Sequence, residues 1–255
     1  MIGIIGAIPE EINAIIEEMQ ISETRIIGKR KYYIGKLEKV PCVVVFSRIG
    51  KVAATITTTT LIQEFKIQKL LFTGVAGGIN SKVKVGDIVL ATTLSQHDFD
   101  AFPLYPKNEI PLINKNFFKT DSDLNKIASN EISSFLEDKS IHQYISEIDL
   151  MEFGIQVPIL HQGLIVSGDQ FIYQTEQVSK ILTDFPEALC AEMEGAAVAQ
   201  VCHEYHIPFT VIRTISDNAN ESATLDFNKF IEKVSNKYSL WIVKHLLQKT
   251  QTQSN

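Results

Sequence analysis

The sequence predicts an α/β layered fold. Apolar, strand-like runs alternate with helix-like segments from one end of the chain to the other. Two strand ends and one helix start carry polar groups: Ser167-Gly168-Asp169-Gln170-Phe171-Ile172, the Glu192-Met193-Glu194 cluster opening a small-residue helix, and Arg213-Thr214-Ile215-Ser216-Asp217. In open α/β sheets ligands bind just outside the carboxyl ends of the strands. An enzyme with its site at that edge is the expectation.

Each element has a local reason. Ile2–Gly6 is a short apolar strand, and Pro9-Glu10-Glu11 starts a helix, because proline suits the first turn and acids suit the positive end of the dipole. Ile12, Ile15, Ile16 and Met19 fall at i, i+3, i+4 and i+7, giving one apolar face. Lys29-Arg30-Lys31 reads as a solvated turn ahead of strand-like Tyr32-Tyr33-Ile34. Val40–Phe46 and Leu70–Thr73 are strands separated by a helix over Lys51–Phe65, and Thr73-Gly74-Val75-Ala76-Gly77-Gly78 reads as a glycine turn after the second. A strand over Ile88–Thr92 follows a Val85-Gly86-Asp87 turn, and residues 103–120 form a proline-containing loop. Residues 137–157 read as an excursion from the core. Strands near 160–166 and 208–216 bracket the helix opened by Glu-Met-Glu, and an amphipathic helix from Phe227 to Gln248 closes the chain. With no repeat or linker, one domain over 1–250 and a frayed polar tail at 251–255 are expected.

Composition excludes several classes. A formal net charge of −6 leaves no basic surface to hold a nucleic acid. No apolar run approaches the ~20 residues of a membrane span, and no cationic region precedes Ile2-Gly3-Ile4-Ile5 as a signal peptide requires. Three cysteines without a C-x-x-C pair suit buried thiols in a reducing compartment, with the cytoplasm as the default. At 255 residues and 45% hydrophobic, the chain can bury a substantial core.

Three carboxylates stand out by position. Glu11 follows the first strand, Glu194 opens a helix, and Asp217 ends a strand beside Ser216. Taken singly, each is also explained as a helix-dipole acid or an N-cap. Together at one sheet edge they are the apparatus of glycosidic cleavage, which uses paired carboxylates. His97-Asp98-Phe99-Asp100 has no accompanying His or Cys cluster, so neither a metal nor any other cofactor is expected. His203 and His206 suit a helix C-terminus better than ligation. Val166-Ser167-Gly168-Asp169 is not a G-x-S-x-G elbow, and the glycine turn lacks the G-K-[ST] ending of a phosphate loop.

These turns in this order resemble the nucleoside phosphorylase and nucleosidase superfamily, and within it the 5′-methylthioadenosine/S-adenosylhomocysteine nucleosidases. The resemblance rests on Ile4–Glu11, Ile49–Ala54, Thr73–Gly78, Val85–Val89, Gly163–Ile172, Glu192–Glu194 and Arg213–Asp217. It implies a three-layer α/β/α sandwich with a central mixed β-sheet. It also implies that Asp217 protonates N7 of adenine while Glu11 activates water on the opposite face of the ribose. Glu194 would bind the ribose hydroxyls with Met193 against the sugar, Phe171 would stack on the purine and the Ile172 backbone would read its edge. Gly77 and Ala76 would line the base and ribose side, Ser216 and Arg213 would also bind substrate, and Arg213 could steady Glu194. Ile8, Ile49 and Phe227 would form an apolar 5′-alkylthio pocket, completed in a homodimer by the partner's loop around Leu104. The chain departs from the family pattern at Val75, where serine is common, in Phe102-Pro103-Leu104-Tyr105-Pro106, and in residues 137–157.

Two other activities share these features. A purine nucleoside phosphorylase needs arginines around its phosphate, and only Arg48 and Arg213 are near, beside the repelling pair Glu10-Glu11. A nucleosidase acting on another 5′-substituted adenosine, such as aminodeoxyfutalosine, would use the same catalytic set. A non-catalytic nucleoside-binding protein is the reading from a different class, because a fold alone does not fix a function.

Overall fold

The computed structural model describes residues 1–137, 141–220 and 227–252, apart from the side chains of Phe227, Asn228, Gln251 and Thr252. The chain runs β1 (Ile2–Gly6), α1 (Pro9–Glu18), β2 (Gln20–Ile27), β3 (Arg30–Leu37), β4 (Val40–Phe46), α2 (Lys51–Phe65) and β5 (Lys69–Gly78). It continues with β6 (Ile88–Gln96), β7 (Phe118–Lys119), α3 (Ser122–Glu137), α4 (Ile141–Tyr144), α5 (Glu147–Glu152), β8 (Leu160–Ser167) and α6 (Thr175–Asp184). Then come β9 (Ala188–Glu192), α7 (Gly195–Glu204), β10 (Phe209–Asp217), α8 (Phe227–Phe230), a π-helical turn at Ile231–Ser235, and α9 (Asn236–Thr252).

The strands form one mixed sheet in the order β10-β6-β8-β9-β5-β1-β4-β3-β2, with β7 on β6. Strand β10 also pairs with β5, so β5, β10, β6, β8 and β9 close into a ring. Period-2 alternation sends side chains to two cores. Ile2, Ile4, Cys42 and Val44 face the layer of α1, α3 and α9, where Ile12, Ile15, Phe135, Trp241 and Leu246 are buried. Ile5, Val43 and Val45 face α2 and α7, with Leu61, Ile62, Val198 and Cys202. These are the two helical layers of an α/β/α sandwich. Ile12 and Ile15 are fully buried as their spacing predicts, and truncating either to alanine costs about 2–5 kcal/mol.

Several expectations change. The β2–β3 hairpin was not legible beyond Tyr32–Ile34, because β2 (QISETRII) is solvent-facing over most of its length and carries no hydrophobic alternation. Arg30 is buried rather than solvated, its Nε donating to the Ser47 carbonyl at 3.1 Å. The glycine stretch 73–78 is strand, not turn, paired with β10 through Gly77 and with β9 at Gly77 and Gly78. The helix after β8 is α6, and Glu194 instead follows β9, whose five residues are too few for a periodic signal. Residues 141–157 are no excursion: Ile141, Ile145, Leu150 and Ile155 enter the α1/α3/α9 core. The closing helix is broken by the π turn and reaches Thr252, with Thr250 buried and its hydroxyl bonded to the Leu247 carbonyl. Among the described residues, no helix is long and apolar enough to cross a membrane, and all three cysteines are free and buried.

Candidate active site

Glu11 reaches its position because α1 starts two residues before it, at Pro9. As the third residue of the helix it turns its carboxylate back onto the N-terminus, where Oε2 accepts the Ala7 and Ile8 N–H groups at 2.6 and 3.2 Å. Oε1 accepts the Val75 N–H from β5 at 3.0 Å. At residue 75 this bond is made by the backbone, so it does not depend on the side chain. Burial raises the Glu11 carboxyl pKa, against the lowering effects of the Arg213 charge and of the Val75, Ala7 and Ile8 N–H groups.

Asp217 is placed by an irregularity. Between Ile215 and Asp217 strand β10 advances two residues against one step of β5 from Ala76 to Gly77. Such a bulge re-aims the following side chain. Asp217 is buried, its Oδ1 accepts the Ala219 N–H at 2.8 Å, and its Oδ2 accepts the Ser216 hydroxyl at 2.7 Å. Burial raises its pKa, and the two hydrogen bonds offset only part of that. A side chain at Gly77 would put Cβ 3.1 Å from Asp217 Oδ1, so the glycine keeps this approach open.

Glu194 stands between β9 and α7, and its Oε1 accepts the Gly50 N–H at 2.7 Å. It is buried close to Glu192, and desolvation first and that neighbouring carboxylate second push its pKa well up. Glu192 had no role in the sequence reading and proves to be the most heavily bonded carboxylate here. It accepts from the Ser167 hydroxyl, from the backbone N–H groups of Glu194 and Gly195, and from Arg213 Nη2 at 2.7 Å. Arg213 is fully buried, with its guanidinium carbon 3.9 Å from the Phe72 ring centroid. Arg213 makes its ion pair with Glu192, which in turn holds the Glu194 N–H, and its charge favours the ionised form of Glu194 without a direct hydrogen bond to it. The only sequence signal was a carboxylate two residues before Glu194.

One cavity gathers nearly every residue singled out from the sequence. Glu11, Asp217, Ser216 and Glu194 line it, with Ala76 and Gly77 from β5 and Met193 next to Glu194 in sequence. Phe171 and Ile172 form the wall after β8, and Ile8 and Ile49 line the side next to α1 and α2. Ala7, Val75, Gln170, Ala191 and Glu192 complete it. Arg213 is not part of the lining. Leu104 is 85% exposed, outside the cavity of its own chain. The expected role of the Phe227 side chain lies outside the described residues.

The backbone N–H groups of Ala7, Ile8 and Val75 converge on one point, a natural cradle for an anion. Here the Glu11 carboxylate fills it. Arg48 is turned to the Lys29 carbonyl at 2.8 Å and Arg213 is committed to Glu192. These three N–H groups and both arginines already have partners within the protein.

Comparison with known proteins agrees with this geometry. The family profile described as the phosphorylase superfamily matches residues 1–248. A 5′-methylthioadenosine/S-adenosylhomocysteine nucleosidase of Shewanella denitrificans is 34% identical over 247 residues, covering 97% of this chain and 99% of the relative. An aminodeoxyfutalosine nucleosidase of Helicobacter pylori is 37% identical over 235 residues, covering 91% and 92%. The crystal structure of the Neisseria meningitidis nucleosidase with methylthio-immucillin-A superposes with a TM-score of 0.85 at 32% identity, over 97% of this chain and 98% of that one. The chain belongs to the 5′-methylthioadenosine/S-adenosylhomocysteine nucleosidase family of the phosphorylase superfamily, and it is an N-glycosyl hydrolase.

Proposed function

We propose that this enzyme hydrolyses the N-glycosidic bond of 5′-methylthioadenosine and S-adenosylhomocysteine, releasing adenine and the 5′-thioribose. Phe171 stacks on the purine, the Ile172 backbone reads its edge, and Ala76 and Gly77 lie along the base and ribose. Asp217 donates its proton to N7 as the C1′–N9 bond breaks, so adenine departs neutral. Its raised pKa supports this, because a general acid must hold its proton near the working pH. Glu194 takes the ribose hydroxyls, with Met193 against the sugar. Glu11 holds the water that attacks C1′ and accepts its proton, so that the water's hydroxyl ends on the sugar and the departing base carries the Asp217 proton. Ser216 orients Asp217, and Arg213 acts through Glu192 rather than on substrate.

The observation that carries hydrolysis over phosphorolysis is the Glu11 carboxylate in the N–H cradle of Ala7, Ile8 and Val75. The decisive assay follows base release from methylthioadenosine, adenosylhomocysteine, adenosine and inosine, with and without phosphate. Adenine release from the 5′-thio substrates at equal rates in both conditions is expected. A phosphate requirement with a sugar 1-phosphate product would replace this reading.

A second substrate has its own support. The Helicobacter pylori aminodeoxyfutalosine nucleosidase is as similar in sequence as the methylthioadenosine enzymes. Adding aminodeoxyfutalosine to the assay ranks the two by kcat/KM. The 5′ side of the cavity, at Ile8 and Ile49, is where such substrates differ, and Ile49 is 59% exposed at its mouth. That exposure, with Phe102 and Leu104 bare on the 97–111 loop, supports a homodimer in which the partner's Leu104 loop closes the pocket. The buried free cysteines support a reducing, cytoplasmic setting, and one domain over 1–250 carries each chain's share of the site.

A further inference from the structure

Beside the cavity, but outside its lining, a charged cluster joins three chain segments. Lys51, at the start of α2, places its ammonium 2.6 Å from Asp98 Oδ1 and 3.1 Å from Gln96 Oε1 at the end of β6. Asp98 Oδ2 accepts the Asp169 N–H at 2.8 Å, and Asp169 Oδ1 accepts the Lys51 backbone N–H at 2.8 Å. The second Asp169 oxygen stands 4.0 Å from the ammonium. The Lys51 and Asp98 side chains are only 17% and 21% exposed, so water screens this pair less than an open surface pair. Gly168 lies under the cluster, where a Cβ would meet His97 Nε2. One ammonium thus holds two carboxylates from the ends of β6 and β8 that would otherwise repel.

The placement gives this cluster a task. Asp169 is two residues before Phe171 and three before Ile172, the cavity wall after β8. Gly50, next to Lys51, donates to Glu194. We propose that Lys51 is a positioning residue whose clamp on Asp98 and Asp169 sets the distance between the purine wall and the ribose-binding Glu194. The proposal rests on the nucleosidase reading for what the wall binds. Lys51 touches no reacting atom, so its loss weakens substrate and transition state alike.

Three variants test it: Lys51→Met, Lys51→Arg and the double change Lys51→Met/Asp98→Asn. Wild-type adenine release is measured first, and its absence would sink the nucleosidase reading itself rather than the clamp. With wild type active, Lys51→Met is expected to raise KM about tenfold and weaken adenine binding in parallel, with kcat within about threefold, the pattern of lost uniform binding. Lys51→Arg keeps the charge and should stay within about threefold of wild type in KM. The double variant, relieved of the uncompensated carboxylate, should recover part of the lost affinity relative to Lys51→Met. If Lys51→Met folds with a normal melting temperature and an unchanged KM, or if kcat falls while KM stands still, the clamp has no positioning role. If Lys51→Met is too unstable to assay, Asp98→Asn alone must show the KM rise, and an unchanged KM there overturns the proposal.

Discussion

The Glu11 carboxylate occupies the space that a side chain at Gly74 would need: a Cβ built there lies 2.6 Å from Glu11 Oε1 and 2.9 Å from its carboxyl carbon. Gly74→Ala must therefore displace the carboxylate from the Val75, Ala7 and Ile8 N–H groups or shift β5. Misplacing a catalytic group by about 1 Å costs on the order of 10²-fold in rate. We expect Gly74→Ala to lose roughly that factor in kcat while still folding, measured by adenine release and by circular dichroism. Normal turnover in Gly74→Ala would show that the Glu11 position is not critical.

Asp217→Asn keeps the size and hydrogen-bonding shape of the side chain but has no proton to give. A loss of at least ~10² in kcat is expected, with transition-state-independent ligand affinity changed by less than about tenfold. An aspartate-to-asparagine mutant of the Helicobacter pylori enzyme has been crystallised with 5′-methylthioadenosine in its active site, so the analogous complex is a practical target here. Near-normal kcat would reduce Asp217 to a loop-stabilising carboxylate.

The pH profile follows from the two raised carboxyls. In the proposed mechanism Glu11 must be ionised to accept a proton from water, so activity should fall as pH drops through its raised pKa, at a higher pH than an ordinary glutamate would give. Asp217 must be protonated, so activity falls again as pH rises through its own raised value. Glu11→Gln should lose kcat by about the same factor as Asp217→Asn. A kcat/KM that is flat from acid to alkaline pH would contradict both roles.

Glu194 illustrates function at the expense of stability. Its folded pKa lies above the unfolded value, so the native state holds more protons than the unfolded chain between the two. Stability is therefore unaffected below the ordinary carboxylate range and is lost as pH rises through the folded pKa. Glu194→Gln removes that loss. Its melting temperature should exceed wild type by about 2–4 °C on the alkaline side, the gap should vanish near pH 4, and KM should rise because an amide is a poorer acceptor of ribose hydroxyls. Equal melting temperatures across the pH range would refute this.

Leu104, 85% exposed, supplies the dimer test. Leu104→Asp should weaken self-association, seen by sedimentation, and raise KM for 5′-thio substrates with adenine affinity intact. A wild-type monomer at micromolar concentration with full activity would remove the partner's loop from the mechanism.

The sequence made the pocket legible where function and local chemistry coincide. Glu11 follows from a proline-started helix after a strand, and Asp217 from a buried run that ends on a carboxylate. What stayed hidden depended on contacts between distant segments. Arg213 and Glu192 are 21 residues apart, and only the pairing of both β10 and β9 with β5 sets their contact. The glycines of β5 suggested a turn because glycine weakens strands. They persist inside one because Glu11, Asp217 and Ile215 crowd against Gly74, Gly77 and Gly78. The β2–β3 hairpin and the segment 141–157 erred in opposite directions: one is a strand without apolar alternation, the other a run of scattered isoleucines and leucines that packs inward.

The ring of five strands closes through two residue pairs, Gly77 with Ala191 and Gly78 with Cys190. That short seam ties the strand that carries Ala76 and Gly77 to the strand leading into Glu194. Two surfaces joined by ladder hydrogen bonds cannot part to let a molecule through. Traffic must pass over the loops instead, beside Ile49 and beneath Phe171, both of which are open to water. On the proposed reading the nucleobase therefore lies against the closed ring of strands, and any widening of substrate range falls to the loops at Ile8 and Ile49 around the 5′ end.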